Sequence, residues 1–189
     1  MDITPTSLRF NAHDQRGFTL VEACVVFALV AILAALAVPS MQDMIDSRRL
    51  ESSASQLAND VQLARTEAVA RNQTLRISLH TLSDGSCYVI HTGAANLCEC
   101  RSAATTGPAL CTGDAQEIKT VRLIGARGIT LQGVASMQFV PVHGTVTPTG
   151  ALHLLGSQGR AIDHIVNVMG KVRSCSPGST MPGYRACTP

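Results

Sequence analysis

Two basic residues, Lys171 and Arg173, have a spacing that suits the binding of a polyanion. Residues two apart on an extended segment point to the same face, so both cations would lie side by side there. Residues 160–189 contain one carboxylate, Asp163, and four cations, Arg160, Lys171, Arg173 and Arg185, so their net charge is +3. Such cations can bind successive phosphates of a nucleic acid. The alternative is a solvated edge strand whose charges discourage aggregation, and the residues alone leave both interpretations open.

Six of the seven cysteines fall between residues 87 and 187, and their even number predicts disulfides in an oxidising compartment. The seventh, Cys24, lies in an apolar segment. We predict a Cys175–Cys187 bridge because these residues flank a turn-rich segment, and closing such a loop contributes about 3 kcal/mol. Cys98 and Cys100 are too close to pair with each other, which leaves two pairings open among Cys87, Cys98, Cys100 and Cys111. Zinc binding by these cysteines and His91 is the alternative, but the Cys-x2-Cys pattern of structural zinc sites is absent, so we predict no metal.

The residues that could carry out catalysis form no recognised motif. The histidines at 13, 80, 91, 143, 153 and 164 are scattered through predicted strands, turns and the N-terminal polar segment. There is no Gly-x-Ser-x-Gly, phosphate loop or dinucleotide fingerprint. Trp is absent and aromatic residues make up 3% of the chain, which argues against a ligand site built on stacking. The sequence therefore predicts neither an enzyme nor a cofactor.

An apolar segment of 21 residues, Phe18 to Val38, has Thr19 and Glu22 as its polar members. A helix of this length spans roughly 30 Å, the thickness of the hydrocarbon core of a bilayer. Glu22 lies in the first turn, where the helix dipole favours negative charge, but a carboxylate inside a membrane still calls for a partner or a function. Two arginines precede this segment and Arg48 and Arg49 follow it, so counting positive charges does not orient it.

The string Gly17-Phe-Thr-Leu-Val-Glu22, followed by this apolar segment, resembles the class III signal of type IV pilins and type II secretion pseudopilins. The resemblance implies that a prepilin peptidase cleaves after Gly17, which removes residues 1–17, and methylates Phe18. It also implies that Glu22 pairs with the N-terminal amine of a neighbouring subunit, which supplies an opposite charge in a medium of low dielectric constant. Pro39 fits the same family, whose members often carry a proline near this position.

Beyond Ser40 the helical period continues, and six apolar residues recur at steps of three and four: Leu50, Ala54, Leu57, Val61, Ala64 and Ala68. We predict that this stripe packs on the protein's own head domain. After Asn72 the period becomes two, with turns rich in Gly, Pro and Ser, as is typical of antiparallel sheets. We expect strands at 75–80, 87–91, 120–124, 129–134, 137–142, 151–155 and 161–169, and a loop insertion at 93–113. The predicted fold is α+β, with a leader at 1–17, a membrane or filament-core helix at 18–39, its amphipathic continuation at 40–73 and a β-rich head at 74–189.

The segment Gly170-Lys-Val-Arg173, with the cysteines that follow it, resembles the GspH/FimT minor pseudopilins. Some FimT-type members bind extracellular DNA through Gly-Arg-x-Arg; here Lys171 keeps the first charge but not the bidentate fork of arginine. The resemblance implies a minor subunit of a type IV pilus that assembles with other pilins through its N-terminal helix. It implies that double-stranded DNA is bound through Lys171 and Arg173, and the charge of the segment adds Arg160 and Arg185 to this predicted site. The alternative is a GspH-like pseudopilin of type II secretion without DNA binding. Either protein would sit in the bacterial inner membrane as a single-pass protein, with a cytoplasmic N-terminus and a periplasmic head, before it enters a pilus or pseudopilus.

Overall fold

A single long helix opens the described part of the chain. The computed structural model describes residues 17–101, 107–124 and 128–188, so most of the predicted leader lies outside that range. Helix α1 spans Leu20–Arg71, as the apolar segment and the stripe beyond it predict. The Thr19 hydroxyl accepts a hydrogen bond from the Glu22 amide at 3.2 Å, which caps the first turn. At the other end Asn72 adopts a left-handed conformation (φ 49°), which asparagine tolerates, and the helix stops there.

The chain divides into two compact units, residues 1–41 and 42–189, and the second is called the head below. Within the described residues the head contains eleven strands: β1 Leu75–Leu82, β2 Gly85–Thr92, β3 Cys98–Glu99, β4 Leu110–Cys111, β5 Glu117–Ile124, β6 Thr130–Gly133, β7 Ser136–Val140, β8 Thr145–Thr147, β9 Gly150–Leu155, β10 Ala161–Val166 and β11 Val172–Cys175. They form a five-stranded sheet in the order β5-β2-β1-β7-β8, a four-stranded sheet in the order β11-β10-β9-β6, and a small β3-β4 pair. Adjacent strands in all three sheets are antiparallel. The predicted α+β fold is therefore confirmed.

The apolar stripe of α1 is fully buried in the head. Its six residues, from Leu50 to Ala68, are each at most 1% exposed and belong to one apolar cluster with side chains of both larger sheets. Large members of this cluster include Tyr88 on β2, Phe139 on β7 and Leu152 on β9. Three of the stripe residues are alanines, and such small side chains let a helix backbone approach a sheet closely. The predicted packing of the stripe on the head is confirmed.

Several local expectations need correction. The segment 93–113 is not only a loop, because β3 and β4 pair within it. The run predicted at 161–169 ends as a strand at Val166, since residues 167–170 form the turn into β11. Strand β8 was not expected, and β11 was considered only as an edge strand carrying Lys171 and Arg173; they have three and four residues. Alternation over so few residues gives too weak a pattern to mark a strand.

Candidate assembly segment and nucleic-acid interface

The N-terminal part of α1 is apolar and exposed. Its most hydrophobic 18-residue window has a mean hydropathy of 2.8, and α1 is the one helix among the described residues that is long and apolar enough to cross a membrane. Phe27 and Leu36 in the helix, and Phe18 just before it, are more than 70% exposed. Exposed apolar area of this extent is unfavourable in water, so this segment needs lipid or other helices around it.

Glu22 sits one turn into this segment. Its carboxylate lies in the first turn of α1, and its amide is held by the Thr19 hydroxyl. Gly17 and Phe18 precede the helix and are exposed. The residues predicted for cleavage, methylation and assembly therefore lie together at the start of one helix, where the amides of the first turn favour negative charge.

A basic strip formed by Lys171, Arg173 and Arg185 follows the outer edge of the four-stranded sheet. Strand β11 is the edge strand, and both Lys171 and Arg173 are exposed. Along an extended strand two residues are separated by about 7 Å, so the two cations are close neighbours. Residues 164–189 contain no Asp or Glu. The carboxylate nearest in the sheet register is Asp163 on β10, which pairs with Cys175 and lies 2.9 Å from His153 Nδ1.

The Cys175–Cys187 disulfide brings Arg185 to the same edge. The structure contains this predicted bridge, and Ser176 holds the returning chain by accepting from the Cys187 amide at 3.2 Å and donating to the Arg185 carbonyl at 2.8 Å. Ser176 lies three residues beyond Arg173, or about 10 Å along the strand direction. Arg185 is exposed and therefore extends the strip beyond the end of β11.

Arg160, the fourth cation of the sequence-based set, lies elsewhere. It precedes β10, and because Ile165 pairs with Arg173, Arg160 is about 17 Å from the Arg173 level but only about 7 Å from the level of Ser176, where Arg185 returns. The contacts of its side chain, and not this distance, separate it from the strip. Its side chain is only 15% exposed and donates to the Ser47 hydroxyl at 2.9 Å and the Asp43 carbonyl at 3.3 Å. The structure therefore does not bring Arg160 together with the strip; it uses this side chain to hold α1 against the head.

The remaining head cysteines also form disulfides. Cys87 bonds to Cys100, and Cys98 bonds to Cys111 across the β3-β4 pair. This is one of the two pairings that the sequence left open, and it engages all four thiols that the zinc alternative needed. Cys24 is a free cysteine in the apolar part of α1.

Buried polar groups fix α1 to the sheets, and sequence reasoning missed them. The Asp60 carboxylate is 3% exposed, accepts from the Tyr88 hydroxyl at 2.7 Å and contacts the Lys119 ammonium at 2.6 Å. Burial, followed by the hydrogen bond to Asp60, raises the pKa of Tyr88 well above its usual range. In the sequence, the one indication of this buried contact was the position of Asp60, which is adjacent to Val61 of the apolar stripe.

A second buried link involves His164 on β10. Its Nε2–H donates to the Ala54 carbonyl of α1 at 2.8 Å, and the Ser174 hydroxyl lies 2.9 Å from Nδ1. Burial lowers the pKa of His164, so the ring is neutral near pH 7. This histidine is structural, as is His91, whose pKa burial also lowers and whose Nε2 contacts the Ser78 hydroxyl at 2.9 Å.

An exposed apolar N-terminal helix continued by an antiparallel β head defines a pilin-like protein, and comparisons with known proteins give the family. Residues 53–170 match the family described as type II transport protein GspH, and residues 12–38 match the prokaryotic N-terminal methylation motif. The GspH match covers more than half of the chain. The chain therefore belongs to the GspH family and is a type IV pilin-like minor pseudopilin, anchored by its apolar helix.

The similarity to individual proteins is partial, either in sequence identity or in the share of the chain that is covered. Competence protein ComGD of Bacillus subtilis (strain 168) is 30% identical over 73 residues, which are 39% of this chain and 51% of that protein. The chain thus spans about half the length of this curated relative. Two crystal structures of the type IV minor pilin FimU of Pseudomonas aeruginosa (strain PAO1) are 20% and 19% identical, with TM-scores of 0.47 and 0.44. They cover 72% and 71% of this chain, and 95% and 98% of the FimU chains.

Proposed function

We propose that this pseudopilin is a minor subunit of a type IV pilus that binds duplex DNA for uptake through Lys171, Arg173 and Arg185. The observation that carries the proposal is the basic strip, in which three exposed cations lie along one sheet edge within a segment that contains no acidic residue. The phosphate contacts of these cations would by themselves be tolerant of DNA sequence. The name of the Bacillus subtilis relative, a competence protein, supports a role in DNA uptake.

The second candidate is a pseudopilin of type II secretion that does not bind DNA. The description of the matching family, type II transport, favours it. That match ends at residue 170, immediately before Lys171, so it carries no information about the basic strip. The two candidates therefore differ in what the strip does, and a binding experiment on the strip separates them.

The binding experiment uses the full chain in neutral detergent micelles and a fluorescent duplex, with anisotropy read at several salt concentrations. Three phosphate contacts give a slope of log K against log salt of about −2.7, whereas Lys171→Ala with Arg173→Ala leaves one contact and about −0.9. Arg101→Ala is the matched control, because Arg101 is exposed but lies outside the strip. Absence of binding at low salt, or a slope that the double variant leaves unchanged, contradicts the proposal.

For assembly, we propose that a prepilin peptidase cleaves after Gly17 and methylates Phe18, and that Glu22 then pairs with the Phe18 amine of a neighbouring subunit. The position of Glu22 in the first turn of an apolar helix supports this, because an unpaired carboxylate there is costly in lipid. Mass spectrometry of the mature chain should find N-methylphenylalanine at position 18. Glu22→Ala should permit cleavage but reduce recovery in sheared filaments, and Asp43→Ala serves as the carboxylate control. Normal recovery of Glu22→Ala would exclude the pairing.

We further propose that, before assembly, the chain crosses the inner membrane once, with its N-terminus cytoplasmic and the head periplasmic. Three disulfides in the head support an oxidising surrounding. External protease added to spheroplasts should digest the head and leave a tag at residue 1 intact in a peptidase-deficient strain. Protection of the head from the protease would refute this orientation.

A further inference from the structure

Two neighbouring turns of the head present apolar side chains to solvent. One joins β7 to β8 through residues 141–144, and the other joins β10 to β11 through residues 167–170. Val142 in the first is 73% exposed, and Val168 and Met169 in the second are 53% and 49% exposed. Turns ordinarily place Gly, Asn, Asp or Ser at such positions. Since these three side chains contribute little to the core, their apolar character calls for another explanation.

Both turns are held rigidly, and they are joined to each other. The Val146 amide donates to the Val168 carbonyl at 2.8 Å, which links the β8 side to the second turn. Within that turn the Gly170 amide donates to the Asn167 carbonyl at 2.8 Å, and the Lys171 amide donates to the Asn167 side chain at 2.9 Å. A partner would therefore meet a preformed surface and would lose little affinity to the ordering of these turns.

Helix α1 supports the same pair of turns from beneath. Arg65 Nε donates to the Gly144 carbonyl at 3.0 Å, and Gln62 Nε2 donates to the Gly170 carbonyl at 2.8 Å. Gly170 has a φ of +69°, and a Cβ added there would lie 2.8 Å from the Arg65 side chain. These contacts bring both turns close to the Arg65 side chain, while Val142, Val168 and Met169 remain exposed.

The charge beside the turns indicates what they could meet. Lys171 directly follows the second turn, Arg173 lies two residues further along the edge strand, and His143 is exposed beside Val142. Residues 164–189 contain no Asp or Glu, and Asp163 lies on the neighbouring strand β10. A matching ligand has an apolar surface flanked by negative charge. A base step opened from the minor groove of duplex DNA has this character, because the faces of the bases are apolar and phosphates flank them. Apolar side chains including methionine are known to enter between base steps from this groove.

We propose that Val168 and Met169, with Val142 beside them, form a wedge that enters the minor groove of duplex DNA while Lys171 and Arg173 hold the adjacent phosphates. This inference rests on the DNA binding proposed above and adds a mode of recognition to it. Entry of the wedge partly unstacks one base step and bends the duplex. Bending is easiest at flexible pyrimidine–purine steps such as TA, so the protein should prefer duplexes with central TA steps over stiff A-tracts.

The experiment uses the full chain in neutral detergent micelles and duplexes of about 30 base pairs with a fluorophore at each end. Energy transfer reports bending, and anisotropy reports affinity for a duplex with a central TA step and for one with an A-tract. The wild-type chain should bend the TA duplex and bind it more tightly than the A-tract. Val168→Ser with Met169→Ser should abolish the bend and lower affinity for the TA duplex about tenfold, while the salt slope, set by the cations, stays unchanged. Leu110→Ser is the matched control, because Leu110 is 50% exposed on β4, outside the turns.

The outcomes separate this inference from the proposed function. If the wild-type chain does not bind DNA at all, both fail. If it binds without bending, or if the double variant bends DNA as the wild type does, only the wedge is excluded. Reduced recovery of the double variant in filaments with unchanged bending would identify the turns as a contact with another subunit instead. Thermal unfolding of each variant should match the wild type, since the replaced side chains are exposed.

Discussion

The Cys175–Cys187 disulfide has an expected effect on DNA binding that can be worked out from its position. It holds Arg185 at the edge of the sheet through the hydrogen bonds at Ser176, so its removal should release one of the three cations of the basic strip. Each phosphate contact contributes about −0.9 to the salt slope, so the slope should change from about −2.7 to about −1.8. Between 50 and 200 mM salt the wild-type affinity should then fall about 40-fold, and that of the variant about 12-fold.

The assay is an anisotropy titration of Cys175→Ser with Cys187→Ser, compared with Arg185→Ala in the intact disulfide background. Both should show the same shallower slope, because each removes the same contact by a different route. Cys98→Ser with Cys111→Ser is the control, since that disulfide lies in the β3-β4 pair. If Arg185→Ala makes the slope shallower but the Cys175 and Cys187 variant does not, the disulfide does not hold Arg185 at the DNA; if neither variant changes the slope, Arg185 makes no phosphate contact.

Three further perturbations concern the attachment of α1 to the head. Asp60→Ala should lower the free energy of unfolding by about 3 kcal/mol, because it leaves the buried Tyr88 hydroxyl without its acceptor; Asp60→Asn, which keeps an acceptor, should cost less in a urea titration. Since burial lowers the pKa of His164, the folded state binds fewer protons than the unfolded state, and stability should be full above about pH 6.5 and fall below it. His164→Gln should reduce the loss of stability between pH 7 and 5. An unchanged pH dependence would show that protonation of His164 does not cause this loss. Arg160→Ala should lower the melting temperature and leave the DNA salt slope unaltered, because its guanidinium bonds to Ser47 rather than lining the strip.

Much of the fold follows from two periodicities that the sequence displays directly. The stripe from Leu50 to Ala68 extends over five helical turns, so its repeat is unambiguous, and every member is buried. Strands β1, β2 and β5 are each eight residues long, and the predicted runs lie within a few residues of their bounds. Long patterns average over local exceptions, which explains why these elements were predictable.

The candidate site was less predictable because it depends on pairing between distant segments. Lys171 and Arg173 are recognisable as neighbours, but whether Arg160 joins them depends on the β10-β11 register, which no local pattern encodes. Arg160 and Arg185 look alike in sequence; a hydrogen bond to Ser47 draws the first to α1, and a disulfide draws the second to the strip. The turn at Val168 was predicted to be the end of a strand, because its residues are apolar. Turns are usually recognised in a sequence by Gly, Pro, Asn, Asp or Ser.

The links between α1 and β10 also set a condition on how the head is made. His164 bonds to Ala54 across 110 residues, and Gly170 bonds to Gln62 across 108. Contacts so distant in sequence form late and slow folding, since the intervening chain must first be closed into a loop. Until β10 and β11 have been made, part of the helical stripe from Leu50 to Ala68 stays exposed to solvent, and this apolar surface is prone to aggregation. The helical stripe is therefore fully covered only once β10 and β11 have paired, so completion of the head, and not formation of α1, sets when this apolar face leaves water.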